Sequence, residues 1–156
     1  MAFTFQINTD VEFIHDENLL KKAEENRPEI RTEEIAPVRI AEIVPDSSRL
    51  NGTAAKTSEN DISQLSSYGW KRDDRLSLDF GDHRVGTFAI DIDQTGSPMD
   101  APLYLRVKFA EVPAELEAES GDYNGWLSRS WIQEEFIHLD RLPARLSLPR
   151  RYSFRY

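Results

Sequence analysis

The feature that most restricts the fold is a series of short alternating segments between Tyr68 and Tyr156. Apolar and polar residues alternate within each segment, as in strands with one buried face, and turns that contain Gly or Pro separate most of them. The segments are RLSLDF, VGTFAIDI, LYLRVKFAEV, SWIQEEFIHLD, ARLSLP and RYSFRY. Many short strands with few helices predict an all-β fold, an antiparallel β-sandwich that is jelly-roll-like, with one short N-terminal helix.

The first two of these segments are joined by the four residues GDHR, which predicts a β-hairpin between them. We interpret the glycines of this hairpin as scaffold, because glycine permits a tight turn and close packing. Trp70 opens the region and is expected in the core. In the third segment, the residues expected to face inward are Leu103, Leu105, Val107 and Phe109.

Residues 1–67 form a compositionally different N-terminal extension. Its predicted elements are two short strands, FTFQI and VEFIH, a helix, ENLLKKAEEN, and a strand, VRIAEIV. Asp16 is the expected N-cap of the helix. The small polar residues from 45 to 67 predict a long loop. We expect residues 1–67 to pack on the sandwich of residues 68–156 as one compact domain.

Charge and composition exclude several classes of function. The chain has 28 acidic and 19 basic residues, a net charge of −9, which argues against a nucleic-acid partner. Five arginines without an acid lie in residues 141–156, and an Arg-rich strand of this kind is expected to pair with acids of its own or a neighbouring domain. Cysteine is absent, so disulfides and thiolate metal sites are excluded.

Neither a signal peptide nor a membrane span is predicted. The N-terminus lacks a basic stretch followed by a continuous apolar stretch, and no window reaches the ~20 apolar residues that a bilayer requires. We therefore expect a soluble chain without a membrane partner, in a compartment that the sequence does not specify.

No catalytic motif is present in the sequence. The nucleophile elbow, the phosphate-binding loop and the HExxH zinc motif are all missing, and the three histidines, His15, His83 and His138, are far apart. The acids that lie within predicted strands are Glu111, Glu134 and Glu135. Either they belong to a pair of glycosidase carboxylates, or they form salt bridges with the Arg-rich segment. We predict no catalytic residue, no metal site and no cofactor.

The stretch GDYNGW is the candidate ligand site. Asp122, Tyr123, Asn124 and Trp126 lie within one turn, and Trp131 follows shortly after. Aromatic faces stack on the C–H surface of sugars, while Asp and Asn hydrogen-bond to the hydroxyl groups, so this set predicts carbohydrate binding. Asp and Asn oxygens also coordinate calcium, so a calcium site is a second interpretation of this stretch. The alternative interpretation is that both tryptophans cap the hydrophobic core.

Residues 68–156 resemble the β-sandwich domain that precedes the catalytic barrel in bacterial and fungal α-L-rhamnosidase-like proteins of glycoside hydrolase family 78. The motifs that carry the resemblance are Asp79-Phe80-Gly81, Val85-Gly86, Ala110-Glu111 and Phe154-Arg155-Tyr156. The resemblance implies that the catalytic carboxylates lie in an (α/α)6 barrel, that none of them lies in this chain, and that the chain is not an enzyme by itself. It also implies two partners, the barrel and a rhamnose-containing carbohydrate.

Three functions therefore follow from the sequence. The first is a non-catalytic accessory domain that supports the barrel, with or without contact to carbohydrate. The second is a free-standing lectin-like carbohydrate-binding protein, which requires exposed Tyr123 and Trp126 beside Asp122. The third is an independent hydrolase or lyase that uses two of the acids, and no motif in the sequence favours it.

Overall fold

A computed structural model of the chain describes residues 12, 14–125 and 128–156. The chain divides into two compact units, Met1–Glu34 and Ile35–Tyr156. The first unit contains helix α1 (Glu17–Glu25), and the Asp16 carboxylate accepts hydrogen bonds from the first turn, as predicted for its N-cap. The predicted strand FTFQI lies outside the described residues. The described part of VEFIH is not a strand.

Among its described residues, the second unit contains nine strands, one short α-helix and two short 3-10 helices. The strands are β1 (Arg39–Pro45), β2 (Thr53–Thr57), β3 (Ser77–Asp79), β4 (Arg84–Gly86), β5 (Ala89–Ile92), β6 (Leu103–Phe109), β7 (Gln133–Leu139), β8 (Ala144–Ser147) and β9 (Tyr152–Phe154). Helix α2 (Pro113–Glu117) follows β6, and the 3-10 helices are Ile62–Ser67 and Arg129–Trp131.

The pairing of these strands is antiparallel throughout the described residues and confirms the all-β sandwich. One sheet has the order β2-β1-β3. The remaining strands pair in a nested order, β4 with β9, β5 with β8 and β6 with β7. Nested pairing of this kind arises when a long antiparallel ribbon rolls up, which is the topology of a jelly roll. Residue 67, where the two compositional regions meet, lies inside this unit, in which β1 and β2 share a sheet with β3.

The predicted hairpin between RLSLDF and VGTFAIDI is wrong. β3 pairs with β1, and β4 pairs with β9, so GDHR carries the chain from one sheet to another. The segment VGTFAIDI is also divided into β4 and β5 at residues 87 and 88, where the Phe88 carbonyl accepts a hydrogen bond from Leu148 N–H. Alternation identifies which residues form strands, but it carries no information on which strands become neighbours.

The predicted long loop also differs from the structure, since residues 45–67 contain β2 and a 3-10 helix. β2 has the sequence TAAKT, whose small residues give almost no contrast between a buried and an exposed face. Its pairing with β1 comes from the backbone ladder, which the side-chain pattern does not reveal.

The buried core of the second unit is mostly aromatic. Phe109, Leu148, Tyr152 and Phe154 form its buried cluster. The rings of Phe109 and Tyr152 stack with centroids 3.9 Å apart, and Phe80 meets Phe154 edge to face at 5.0 Å. The edge-to-face geometry of Phe80 and Phe154 is a favourable one for aromatic pairs. The inward-facing residues predicted for β6 are confirmed, because its alternate side chains become buried towards Phe109.

A buried carboxylate joins three segments of the second unit. Asp79, at the end of β3, is fully buried, and its Oδ2 accepts hydrogen bonds from Arg39 Nε and Nη2 at 2.8 and 2.6 Å. Its Oδ1 accepts from Arg155 Nε at 3.0 Å and from the Gly81 N–H at 2.8 Å. Gly81 has a φ of +84°, which favours glycine. Asp79 and Gly81 therefore act as scaffold, as predicted.

Opposing effects set the pKa of Asp79. Burial alone would raise it, but the hydrogen bonds from Arg155, Gly81 and Arg39 outweigh burial and lower the pKa to about 2. The carboxylate is therefore ionised at neutral pH and can attract both guanidinium groups.

Candidate functional site

The loop between α2 and β7 carries the predicted carbohydrate site. Asp122 and Asn124 are exposed on this loop, and Tyr123 is half-buried. Trp131 lies at the end of the second 3-10 helix and is 68% exposed, which corrects the alternative expectation that it caps the core. Trp126 lies outside the described residues.

Gly125 leaves the space in which the Tyr123 ring packs against its own loop. A Cβ atom at Gly125 would lie 2.2 Å from the Tyr123 hydroxyl oxygen and 2.4 Å from its Cζ atom. Side-chain carbons do not approach so closely, so only glycine allows the ring to cover this backbone. The ring therefore packs on the loop, while Asp122 and Asn124 stay available for hydrogen bonds to a ligand.

A cluster of charged side chains fastens the start of this loop to β6 and β7. Glu134 on β7, only 2% exposed at its side chain, accepts hydrogen bonds from Arg106 and from the Ser120 hydroxyl. Arg106 also donates to Glu119, and Lys108 Nζ lies 3.6 Å from Glu119. Ion pairs that are shared in a network and partly buried are more rigid than isolated surface pairs. The cluster therefore fixes the position from which the candidate loop begins.

Lys108 also holds the end of α2. Its ammonium group donates hydrogen bonds to the carbonyl oxygens of Leu116 and Ala118 at 3.0 and 2.5 Å. These carbonyls belong to the last turn of the helix, where a cation is favourable because the carbonyl oxygens have no partner within the helix. At the other end, the Glu115 carboxylate accepts from the Glu111 N–H at 2.7 Å.

The three glutamates predicted to lie within strands have different partners, and Glu111 lies between β6 and α2 rather than in a strand. Glu135 accepts from Arg150 Nε at 2.7 Å, which is the salt bridge to the Arg-rich segment that the sequence predicts. Glu111 instead accepts from the Ser153 hydroxyl at 2.6 Å, and Glu134 belongs to the charged cluster.

Hydrogen bonding lowers the pKa of two of these glutamates. Burial would raise the pKa of Glu134, but the hydrogen bonds from Ser120 and Arg106 lower it further than burial raises it. The Ser153 hydroxyl is the main cause of the lowered pKa of Glu111. Both carboxylates are therefore ionised at neutral pH and are poor proton donors.

Ser153, His83 and Glu111 lie together on the surface but do not form a nucleophilic triad. His83 Nε2 lies 2.8 Å from Ser153 Oγ and 3.4 Å from Glu111 Oε1, so one ring nitrogen faces both groups. A triad needs the serine at one imidazole nitrogen and the carboxylate at the other. The Ser153 hydroxyl also donates to Glu111, so its proton is not directed at the imidazole.

Exposed aromatic side chains cover part of the outer side of β6 and β7. We call Tyr104, Phe136 and His138 the aromatic face. Tyr104 lies opposite His138 in the ladder, with ring centroids 4.9 Å apart, and its ring is nearly parallel to that of Phe136 at 6.1 Å. Tyr104 and Phe136 are each more than half exposed. The Arg106 guanidinium lies 5.6 Å from the Phe136 ring and links this face to the charged cluster.

A groove with a volume of about 430 Å³ lies beside β1, and we call it the Trp70 groove. Tyr68 and Trp70 line it with ring centroids 4.5 Å apart and planes tilted by 45°. Its polar lining consists of Glu42, Ser58, Asn60, Asp61, Gln64, Arg75, Ser77 and Glu117. Trp70 is 44% exposed, which corrects its expected place in the core. The sequence does contain a signal for this groove, the stretch Tyr68-Gly69-Trp70, in which two aromatic residues directly follow a polar segment.

Within the described ranges, no group of three or more His, Asp or Glu side chains is arranged to hold a metal ion. Calcium binding therefore stays a prediction. Likewise, none of the helices described is both long and apolar enough to cross a bilayer.

Comparison with known proteins identifies the family. The family model for the glycosyl hydrolase family 78 alpha-rhamnosidase N-terminal domain matches residues 37–156. The structure is similar to a rhamnosidase from Klebsiella oxytoca with rhamnose bound, with a TM-score of 0.80 and 36% sequence identity. The similarity covers 88% of this chain and 27% of that chain. No curated protein sequence matches. The predicted resemblance is confirmed, and the chain belongs to the family of N-terminal domains of glycosyl hydrolase family 78 α-rhamnosidases.

Proposed function

We propose that this chain is a non-catalytic accessory domain of an α-L-rhamnosidase-like glycoside hydrolase and that it supports the catalytic domain. The observation that carries the proposal is the family match over residues 37–156. The similar Klebsiella rhamnosidase is much longer, since this chain covers 27% of it. Most of such an enzyme therefore lies outside the part that matches, and we place the catalytic barrel there.

The chemistry of the glutamates supports a non-catalytic role. Glycoside hydrolysis requires one protonated carboxyl as the general acid and a second carboxylate as base or nucleophile. Glu111 accepts a hydrogen bond from Ser153, and Glu134 accepts from Ser120 and Arg106. Both carboxyl groups have lowered pKa values. They serve as acceptors within the fold rather than as proton donors to a substrate.

The aromatic face is the surface that we assign to contact with the barrel. Tyr, Arg and other large side chains supply most of the binding energy at protein interfaces, and exposed aromatic patches mark such sites. Tyr104 and Phe136 are held parallel by the β6–β7 ladder, and Arg106 is fixed by its two glutamates. A preordered surface loses little conformational entropy when a partner covers it.

A domain exchange tests the supporting role. Residues 37–156 replace the matching segment of the Klebsiella rhamnosidase, and the chimera is compared with the same enzyme lacking that segment and with the present chain alone. We expect the chimera to hydrolyse an α-L-rhamnoside and to unfold at a higher temperature than the truncated enzyme, whereas the chain alone hydrolyses nothing. Hydrolysis by the chain alone, or equal stability of chimera and truncated enzyme, would refute the proposal.

Lectin-like carbohydrate binding at the loop of residues 122–131 is the second candidate. The exposure of Trp131, beside a loop with exposed Asp122 and Asn124, favours it. Titration with L-rhamnose, with calcium and with a chelator, tests it in the parent chain and in Trp131→Ala. Binding that disappears in the variant supports this site. Binding that is unchanged excludes it, and a loss only with the chelator assigns a role to calcium.

A further inference from the structure

We propose that the Trp70 groove binds a neutral pyranose sugar, at a place separate from the loop of residues 122–131. The choice of a sugar rests on the proposed function, since accessory domains of glycosidases meet carbohydrate. The location rests on the geometry of the groove alone.

The groove has the dimensions and the mixed lining of a small-molecule site. Its volume of about 430 Å³ lies within the range of ~300–1,000 Å³ that is usual for ligand pockets. Apolar side chains of Ile43, Leu65 and Leu76 line it together with the polar groups. A sugar ring presents C–H groups on its faces and hydroxyl groups at its edge, and such a lining can satisfy both.

Tyr68 and Trp70 provide the aromatic surface. Their rings are close enough to support each other and are tilted, so that they form an angled wall rather than a flat stack. Both are roughly half exposed, which leaves ring surface for a ligand. The face of an aromatic ring is negative and attracts polarised C–H groups. These two rings can therefore hold the apolar face of a pyranose.

Three of the polar side chains that line the groove, those of Asn60, Gln64 and Arg75, are exposed to solvent. Among the residues that the structure describes, the side chains of Asn60, Gln64 and Arg75 make no hydrogen bond or ion pair with another protein group. Amides donate and accept, and a guanidinium offers several donors, so this set matches vicinal hydroxyl groups.

The charge of the groove selects a neutral ligand. The described lining contains three carboxylates, those of Glu42, Asp61 and Glu117, and a single guanidinium, that of Arg75. Hydrogen bonds from the Ser63 backbone and hydroxyl lower the pKa of Asp61. A phosphate or an acidic sugar would be repelled by this surplus of negative charge, whereas hydroxyl groups can donate to the carboxylates.

Strand pairing and hydrogen bonds within the protein hold the walls of the groove. β1 lies at the centre of its sheet, with β2 and β3 on either side. The 3-10 helix that contributes Gln64 and Leu65 is capped by Asp61, whose carboxylate accepts from the Ser63 N–H at 2.9 Å. The residue after Trp70 is fixed in turn, since the Lys71 N–H donates to Asp74 at 2.8 Å.

The test uses the ¹⁵N-labelled chain of residues 1–156 and the indole N–H signals of its three tryptophans. L-Rhamnose is titrated, and variants Trp70→Ala, Trp70→Phe and Asn60→Ala are compared with Trp131→Ala as the matched control. We expect saturable shifts of the Trp70 signal, with a dissociation constant on the order of 1 mM. The two Trp70 variants lack this indole signal, so their binding is followed through the backbone amide signals of Gly69 and Ser77 beside the groove. Trp70→Ala should weaken binding about tenfold, while Trp70→Phe, which keeps an aromatic face, retains most of it.

Each outcome decides the proposal. Shifts of the Trp70 signal that persist in Trp131→Ala, with weaker binding in Asn60→Ala, support the groove. Shifts confined to Trp126 or Trp131 overturn it in favour of the loop, and no shift of any indole signal overturns it as well. The domain exchange described above is unaffected by either result, so failure of the groove and failure of the supporting role are distinguishable.

Discussion

Replacement of Asp79 by Asn removes the charge that holds two arginines in the second unit. Asn has nearly the same shape, so packing is conserved, but Arg39 and Arg155 lose their common anionic partner. The reduction of the Asp79 pKa from 3.8 to about 2 corresponds to a stabilisation of ~2 kcal/mol from the ionised over the neutral carboxyl. Because the variant also leaves two guanidinium groups uncompensated, we expect a loss of ~2–4 kcal/mol at pH 7.

The pH dependence follows from the sign of the pKa change. The pKa of Asp79 is lower in the folded state, so its stabilisation is complete above the unfolded pKa of 3.8 and disappears as pH falls through about 2. Roughly half of it remains at pH 3. The difference in unfolding free energy between the parent chain and Asp79→Asn should therefore be constant from pH 5 to 7 and become smaller at pH 4 and pH 3.

Urea denaturation followed by tryptophan fluorescence measures these differences. With a denaturant slope of about 1.5 kcal/mol per molar, Asp79→Asn should lower the midpoint by more than ~1 M at pH 7. Asp91→Asn is the matched control, because its pair with Arg145 is largely exposed and contributes at most ~0.5 kcal/mol. Equal midpoints for Asp79→Asn and the parent chain at pH 7, or a difference that does not decrease on acidification, would refute the reasoning.

Three further substitutions test other parts of the structure. Glu134→Gln should destabilise the chain by ~2 kcal/mol in urea denaturation and should shift the backbone amide signal of Ser120, and unchanged values would remove the charged cluster as an anchor. Gly125→Ala should displace the Tyr123 ring, seen as changed ring-proton NMR signals with little effect on stability, and unchanged signals would contradict the close contact. Asp16→Ala should weaken α1 by ~1 kcal/mol and reduce its helical circular dichroism, whereas an unchanged spectrum would argue against the cap.

Residue alternation predicted which residues form the later strands but not how the strands pair. In β6, Leu103, Leu105, Val107 and Phe109 lie on one face, because the alternation of apolar residues in the sequence matches the alternation of buried positions in the strand. The hairpin prediction failed because two adjacent strands joined by a short connection can also belong to different sheets. β2 was missed because its alanines contribute little to any hydrophobic pattern.

The candidate loop and the groove differ in how far the sequence alone reveals them. Residues adjacent in sequence can be recognised as a set, whereas residues that only the tertiary structure brings together cannot. The sequence suggested the loop as a site because aromatic and polar residues are adjacent in GDYNGW, and carbohydrate binding there stays a prediction. The Trp70 groove gathers side chains from β1, a 3-10 helix and α2, which are up to 77 positions apart between Ile40 and Glu117. Residue type alone placed Trp70 in the core, because tryptophan is usually buried, and only the tertiary structure shows that its ring lines a concave surface.

The most direct test of the supporting role is to remove the aromatic face within the chimera. Tyr104→Ala/Phe136→Ala and the control Val85→Ala, also at an exposed apolar position, are made both in the chimera and in the isolated chain. We predict that the double substitution lowers the melting temperature of the chimera by about 4 °C more than that of the isolated chain, whereas Val85→Ala has equal effects in both. Equal effects of the double substitution in both proteins would contradict the assignment of this face to the catalytic domain.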